Sequence, residues 1–347
     1  MGFFDRLLRR SGSDSHSYTF AENELLDDVS RGRTSAWRWA MEGRNMGERE
    51  KAIRRFVNAG LLREATPAEK IDDVYRVVDI KALLGQHGVK ARGKKADLIA
   101  ALAGVLTPGE VAQLVGNVTT YRATELGNRH IEAFREEARL AWEATESDAL
   151  ACLLRGDVKG AGTRLARHRP EQQSQSAGIR IDWSGETTWS PAISEVEYLL
   201  NLKYEDLPLT KDQRREVGAR LAWAKMVGSR DAGTSLLHVT GGEFHCQPLE
   251  AFLRDNPTGG YAARHDPDSP RDLAELYAHT RLAEAYAAVE LAELIEVKLG
   301  KGVTIETLHG DCKLCDRGKH NYRWSEIRDI PKLPRHWGCR CMYAIWQ

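Results

Sequence analysis

At 347 residues the chain is longer than a single hydrophobic core usually serves, so two or three domains are expected. Hydrophobic residues make up 42% and charged residues 29%, which excludes a disordered chain, and no apolar run approaches the roughly 20 residues that cross a bilayer, which excludes a helical membrane protein. The net charge is zero but uneven: residues 1–105 hold 19 Lys and Arg against 15 Asp and Glu, residues 301–347 hold 9 against 5, and the stretch between them holds 22 against 30. Mildly basic ends around an acidic middle suit contact with a polyanion at the ends.

The first ten residues, MGFFDRLLRR, are basic and amphipathic. They lack the apolar core and small-residue cleavage site of a secretory signal, and Arg6 stands where an acylation motif needs Ser or Thr. A short helix packed on the protein is the expectation, with a cytoplasmic location and no membrane partner. Up to about residue 70 the pattern is helical, with Ile53, Phe56, Val57 and Leu61 at helical spacing and Gly60 closing the helix. Residues 74–106 predict two short helices, marked by Ile80, Leu83 and Leu84 and then by Leu98, Ile99 and Leu102, around the basic turn HGVKARGKK. A third helix is predicted from Thr107, as N-cap with Pro108 behind it, through about Ser147.

The basic turn nearly matches the phosphate-binding loop G-x-x-x-x-G-K-[ST]. It fails because Lys95 replaces the hydroxyl residue and a helix, not a strand, precedes Gly88. Lys90, Arg92, Lys94 and Lys95 instead crowd the start of the second helix, where unpaired N–H groups also attract anions. With its frame of Ile80-Lys81, Leu83-Leu84, Gly93, Lys94-Lys95 and Leu98-Ile99, this stretch resembles the SAP family of small helical nucleic-acid-binding modules. That resemblance implies salt-sensitive binding to the DNA backbone through Lys90, Arg92, Lys94 and Lys95, with little reading of bases.

The middle, residues 107–256, reads as helical with a polar loop at 168–191 that contains Pro170 and Pro191. The one compact polar group there is His238, Glu243, His245 and Cys246 in HVTGGEFHC, the place where a nuclease or toxin site would have to lie. Its residues read as ordinary loop chemistry, and the chain lacks HExxH, GxSxG and a glycine-rich dinucleotide loop. A second loop, rich in Gly, Pro and Asp, precedes a long amphipathic helix from Pro270 to Leu299, stopped by Gly300. Its apolar positions include Leu276, Tyr277, Thr280, Ala287, Leu291 and Leu294. GVTIETLH then alternates like a strand, and NYRW and IPKLP read as a strand and a tight return.

Four of the six cysteines fall in the last 36 residues, as Cys312-x-x-Cys315 and Cys339-x-Cys341. In a chain without a secretory signal this bunching favours metal over disulfides. A C-x-x-C turn aims two sulfurs at one ion, and cysteines two apart on a strand face one way, so the four thiolates suit a tetrahedral zinc. His336 is an alternate ligand, and His309 and His320 are weaker ones. A redox pair would want C-x-x-C at a helix start, but Gly310, Asp311, Asp316, Arg317 and Gly318 read as a turn. With so many ligands available, a closed structural zinc site is the expectation rather than a catalytic one.

The paired C-x-x-C and H-x-x-C-R-C, behind a long helix and a strand, resemble the C-terminal part of the Mu F-like phage head morphogenesis family, with Trp337 where a proline is usual. That resemblance implies a phage-derived structural protein with capsid or another self-assembling protein as partner, found in a virion. The expected fold is mainly α and multi-domain, with a helix–turn–helix SAP-like module and a small α+β zinc lobe after the long helix. The expected divisions are 1–70, 74–106, 107–256 and 270–347. The expected function is non-enzymatic DNA binding by a bacterial or phage-derived protein, with a minor head protein as the alternative.

Overall fold

Thr19, Thr66 and Thr210 each open a helix by the same local device. The hydroxyl accepts from the backbone N–H three residues on, and the side chain there (Glu22, Glu69 or Gln213) reaches back to the threonine N–H. A computed structural model describes residues 18–31, 46–90, 92–115, 120–168, 191–229, 231–256, 262–307, 315, 320–339 and 341–347. Among these residues the chain is mainly helical with small antiparallel sheets. It divides into two units, residues 1–140 and 141–347. The expected N-terminal helix and most of the expected loop at 168–191 lie outside the described residues, as do His309 and Cys312.

The first unit holds α1 (Phe20–Ser30), α2 (Met46–Asn58), β1 (Leu62–Glu64), α3 (Pro67–Val74), α4 (Val77–Gln86), α5 (Lys95–Val105), α6 (Pro108–Val115), β2 (Tyr121–Ala123) and the start of α7 (Glu125–Leu153). Gly60 ends α2 as the sequence predicts, at φ +70°, with the Leu61 N–H returning to the Phe56 carbonyl. One core packs Leu26, Phe56, Leu62 and Ile131. A second packs Ile80, Leu84, Leu98, Ile99 and Leu102 together with Ile71 of α3 and Val111 and Val115 of α6. The helix pair α4–α5 is thus buried against a helix on either side in sequence.

The single helix expected from Thr107 to Ser147 is instead α6 and α7 with β2 between them. Thr120 is β-branched and Tyr121 aromatic, and both favour extended backbone. Antiparallel pairing of β2 with β1, from Leu62 opposite Ala123 to Glu64 opposite Tyr121, outweighs continuation of the helix.

The second unit continues with α8 (Val158–His168), α9 (Pro191–Asn201), α10 (Lys211–Val227), α11 (Ala232–Val239), α12 (Gln247–Asp255) and the long α13 (Pro270–Val297). These helices share one core that includes Val196, Leu199, Leu221, Leu236, Leu249 and Tyr277. α13 stops two residues sooner than Gly300 suggested, where Lys298 turns left-handed at φ +50°.

Behind α13 stand β3 (Gly302–Thr307), β4 (Asn321–Arg323), a 3₁₀ turn (Trp324–Asp329) and β5 (Cys341–Trp346). β3 lies between the other two strands, antiparallel to both. Ala287, Leu291 and Leu294 of α13 pack with Val303, Ile305, Tyr322, Leu333 and Tyr343. The alternation seen in GVTIETLH thus has Val303 and Ile305 buried.

Candidate functional site

The C-terminal lobe gathers Cys315, His336 and Cys339, whose ligand atoms all lie within 4.8 Å of one another. Cys315 Sγ stands 3.1 Å from His336 Nε2 and 3.5 Å from Cys339 Sγ. A tetrahedral ion about 2.3 Å from each sulfur and about 2.0 Å from nitrogen would set the sulfur–nitrogen edge at ~3.5 Å and the sulfur–sulfur edge at ~3.8 Å, a small expansion of what is seen. Both cysteines are buried, and the group can hold a metal ion.

The backbone presents these groups from three places. Cys315 is fixed by its carbonyl, which accepts from Arg335 Nη1 at 2.8 Å. His336 Nδ1 lies 2.8 Å from the Trp337 carbonyl oxygen. A carbonyl can only accept, so Nδ1 carries a proton and Nε2 is the ring nitrogen that faces Cys315. Cys339 follows a turn at Gly338, whose φ of +71° suits glycine, and an added Cβ there would meet Leu276 Cδ1 at 3.1 Å.

Cys341, first residue of β5 opposite Thr307, bonds through its side chain to Cys339 and Cys315. The hydrogen bond from Cys341 favours the Cys339 thiolate over its thiol, against the opposing effect of burial. The same bond, with burial, raises Cys341.

Of the residues singled out from sequence, Cys315, Cys339 and Cys341 come together, and His336, an alternate there, sits among them. Cys312 and His309 lie outside the described residues. His320 is turned away from this group, with its Nδ1 3.1 Å from the Ile305 carbonyl, which also aligns the Ile305 N–H on the His320 carbonyl. Spacing placed His336, three residues before Cys339, ahead of His320, and the lobe's folding brings the His336 ring to the sulfurs.

The basic turn divides in two. Lys90, Arg92 and Lys94 are exposed, and their side chains make no ion pair among the described residues. Lys95 is held by α3, with Nζ on the Asp72 carbonyl and 2.9 Å from its carboxylate. The Asp97 carboxylate takes the Lys94 N–H at 2.9 Å, so one of the donors at the start of α5 is already occupied.

The HVTGGEFHC residues do not converge. His245 is exposed and lies 3.4 Å from Glu250. Cys246 is buried beside Asp206, and burial pushes its thiol up to about 12, which leaves it unreactive near neutral pH. His238 lies on the rim of an open cavity of about 620 Å³ that also borders Trp142, Glu146 and Trp223. No helix among the described residues is long and apolar enough to cross a membrane.

No protein-family model, no curated protein and no solved structure matches the chain.

Proposed function

We propose that this chain is a non-enzymatic DNA-binding protein, bacterial or phage-derived, that grips the phosphate backbone with the turn between α4 and α5. Its C-terminal lobe is closed by a structural zinc. The observation that carries the first part is the group Lys90, Arg92 and Lys94, exposed and without ion pairs among the described residues at the start of α5. Three unspent cations beside the N–H groups of an eleven-residue helix favour phosphate oxygens, a contact that carries no sequence information. Their likeness in pattern to SAP modules supports the same reading.

Salt titration of a labelled DNA duplex, followed by fluorescence anisotropy, tests it. Replacing Lys90, Arg92 and Lys94 together by Gln should flatten the slope of log K against log salt by up to about 2.7, near 0.9 per phosphate contact. An unchanged affinity and slope would overturn the proposal.

Zinc suits the C-terminal group because two or three thiolates and one imidazole are its usual structural donors, and the site is buried rather than open. Cys315, His336 and Cys339 would hold it, with Cys341 or Cys312 as the fourth ligand. Metal analysis of the purified chain should find about one zinc per molecule.

A second reading, a phage minor head protein that assembles with capsid or portal protein, is supported by the order of elements. The long α13 is followed by β3, β4 and β5, with Cys315 between β3 and β4 and Cys339 before β5. Co-sedimentation with capsids would favour it.

A further inference from the structure

We infer that Arg281 is a positioning residue for the metal group, setting its affinity from within the helical core of the second unit. The inference rests on the metal reading above. The two residues between His336 and Cys339 are Trp337 and Gly338, and both are anchored on α13. Trp337 stacks on Tyr277 at 5.5 Å and 30°. The Arg281 guanidinium lies 5.1 Å from the Trp337 ring centre and 4.9 Å from that of Tyr277. The Gly338 N–H donates to Thr280 Oγ1 at 3.0 Å, and that hydroxyl donates to the Leu276 carbonyl at 2.7 Å. The His336 ring itself lies over Phe252 of α12 at 5.7 Å and 14°.

Arg281 is in turn pinned. One amino group donates to Asp206, and the other to Glu284 at 2.6 Å. Asp206 also accepts from the Tyr277 hydroxyl at 2.9 Å, and Glu284 from Tyr198 at 3.0 Å. Two carboxylates and two tyrosines thus hold one guanidinium, whose side chain is 19% exposed, against the indole next to a ligand. Cation–π attraction strengthens as water is excluded. This arrangement orders the His336–Cys339 segment before an ion arrives, so the ion need not supply the ordering free energy. Outer groups of this kind change metal affinity by about 10- to 100-fold when removed.

The test uses the full chain stripped of metal and refilled with zinc in competition with a chromophoric chelator. Arg281→Met, which keeps the apolar stem, should bind zinc about 10- to 100-fold more weakly with helical content retained. Arg281→Lys should recover part of the loss, because it restores a cation but not the two-armed fork. Trp337→Leu should give a similar loss, and the double variant should lose no more than the larger single effect, since both remove one contact.

Val196→Ala, a truncation in the same core that takes no part in this network, supplies the control for lowered stability alone. It should leave zinc affinity unchanged. Arg281→Met binding as tightly as wild type, additive losses in the double variant, or an equal loss in Val196→Ala would each overturn the inference. A wild-type chain that holds no zinc would overturn the metal reading, and this inference with it.

Discussion

Tyr343→Phe removes a single oxygen from the C-terminal lobe, and its cost follows from the bonds around that oxygen. Tyr343 is 2% exposed and faces Ile305 across β3 and β5. Its hydroxyl accepts from the buried Leu333 N–H at 3.1 Å and donates to the Pro331 carbonyl at 2.7 Å. Burial pushes the phenol up to about 12, so it remains a donor at all ordinary pH. Both partners lie on the segment that leads to His336. Phenylalanine fills the ring's space, so no cavity opens. What is lost is the hydrogen bond to Pro331, about 0.5–1.5 kcal/mol, and the partner of a buried N–H, about 1–3 kcal/mol. A loss of about 2 kcal/mol or more is therefore expected. Native-state hydrogen exchange should show it as a fall in protection of about 30-fold across the amides of β3 and β5. A fall of less than about threefold would show that water or a shifted loop satisfies Leu333, and would refute the view that Tyr343 ties this loop to the sheet.

Lys95→Met should leave DNA affinity and its salt slope close to wild type while raising amide exchange in α3, because that ammonium is spent on Asp72. A drop in slope as large as that of Lys94→Gln would contradict this assignment. Glu69 is held down to about 2, chiefly by the hydrogen bonds from Arg63 and further by Thr66. A carboxyl whose folded value is depressed contributes stability above its unfolded value, near 4.5, and loses it as pH falls from there toward about 2. Protection of the α3 amides, referred to the intrinsic exchange rate at each pH, should therefore fall on acidification through that window, and Arg63→Gln should move the Glu69 titration upward in a carboxyl-detected NMR experiment. Cys339→Ser should abolish stoichiometric zinc in metal analysis, whereas His320→Ala should leave the metal content unchanged. Equal losses in both would mean that the ring on Ile305 is a ligand after all.

The signals that could be read along the chain are those carried within a few residues. The apolar spacing of Leu276, Tyr277, Thr280 and Ala287 needs no partner to be seen, and those residues are buried on α13. Gly60 ends α2 because only its own φ is at issue. The Val303 and Ile305 alternation belongs to the same class.

What could not be read depends on pairing between distant residues. β1 and β2 are three residues each, too short to stand out, and exist because Leu62 meets Ala123. That pairing also broke the helix expected across Thr107–Ser147. Four like charges in KARGKK look equivalent until Asp72, on another helix, takes one of them.

The C-terminal group shows the same division most sharply. Cysteine spacing alone marked the group that can hold a metal ion, because it sets how sulfurs on a turn or a strand can face one point. Spacing already preferred His336 to His320, and tertiary structure supplied the placement: the sheet fixes His320 on the Ile305 carbonyl, while Trp337 and Gly338, held by α13, turn His336 onto Cys315. Ligand type is a property of residues and can be read from their order. Ligand geometry is a property of packing, and here Tyr277, Thr280 and Arg281, far from the cysteines in sequence, hold the two residues between His336 and Cys339.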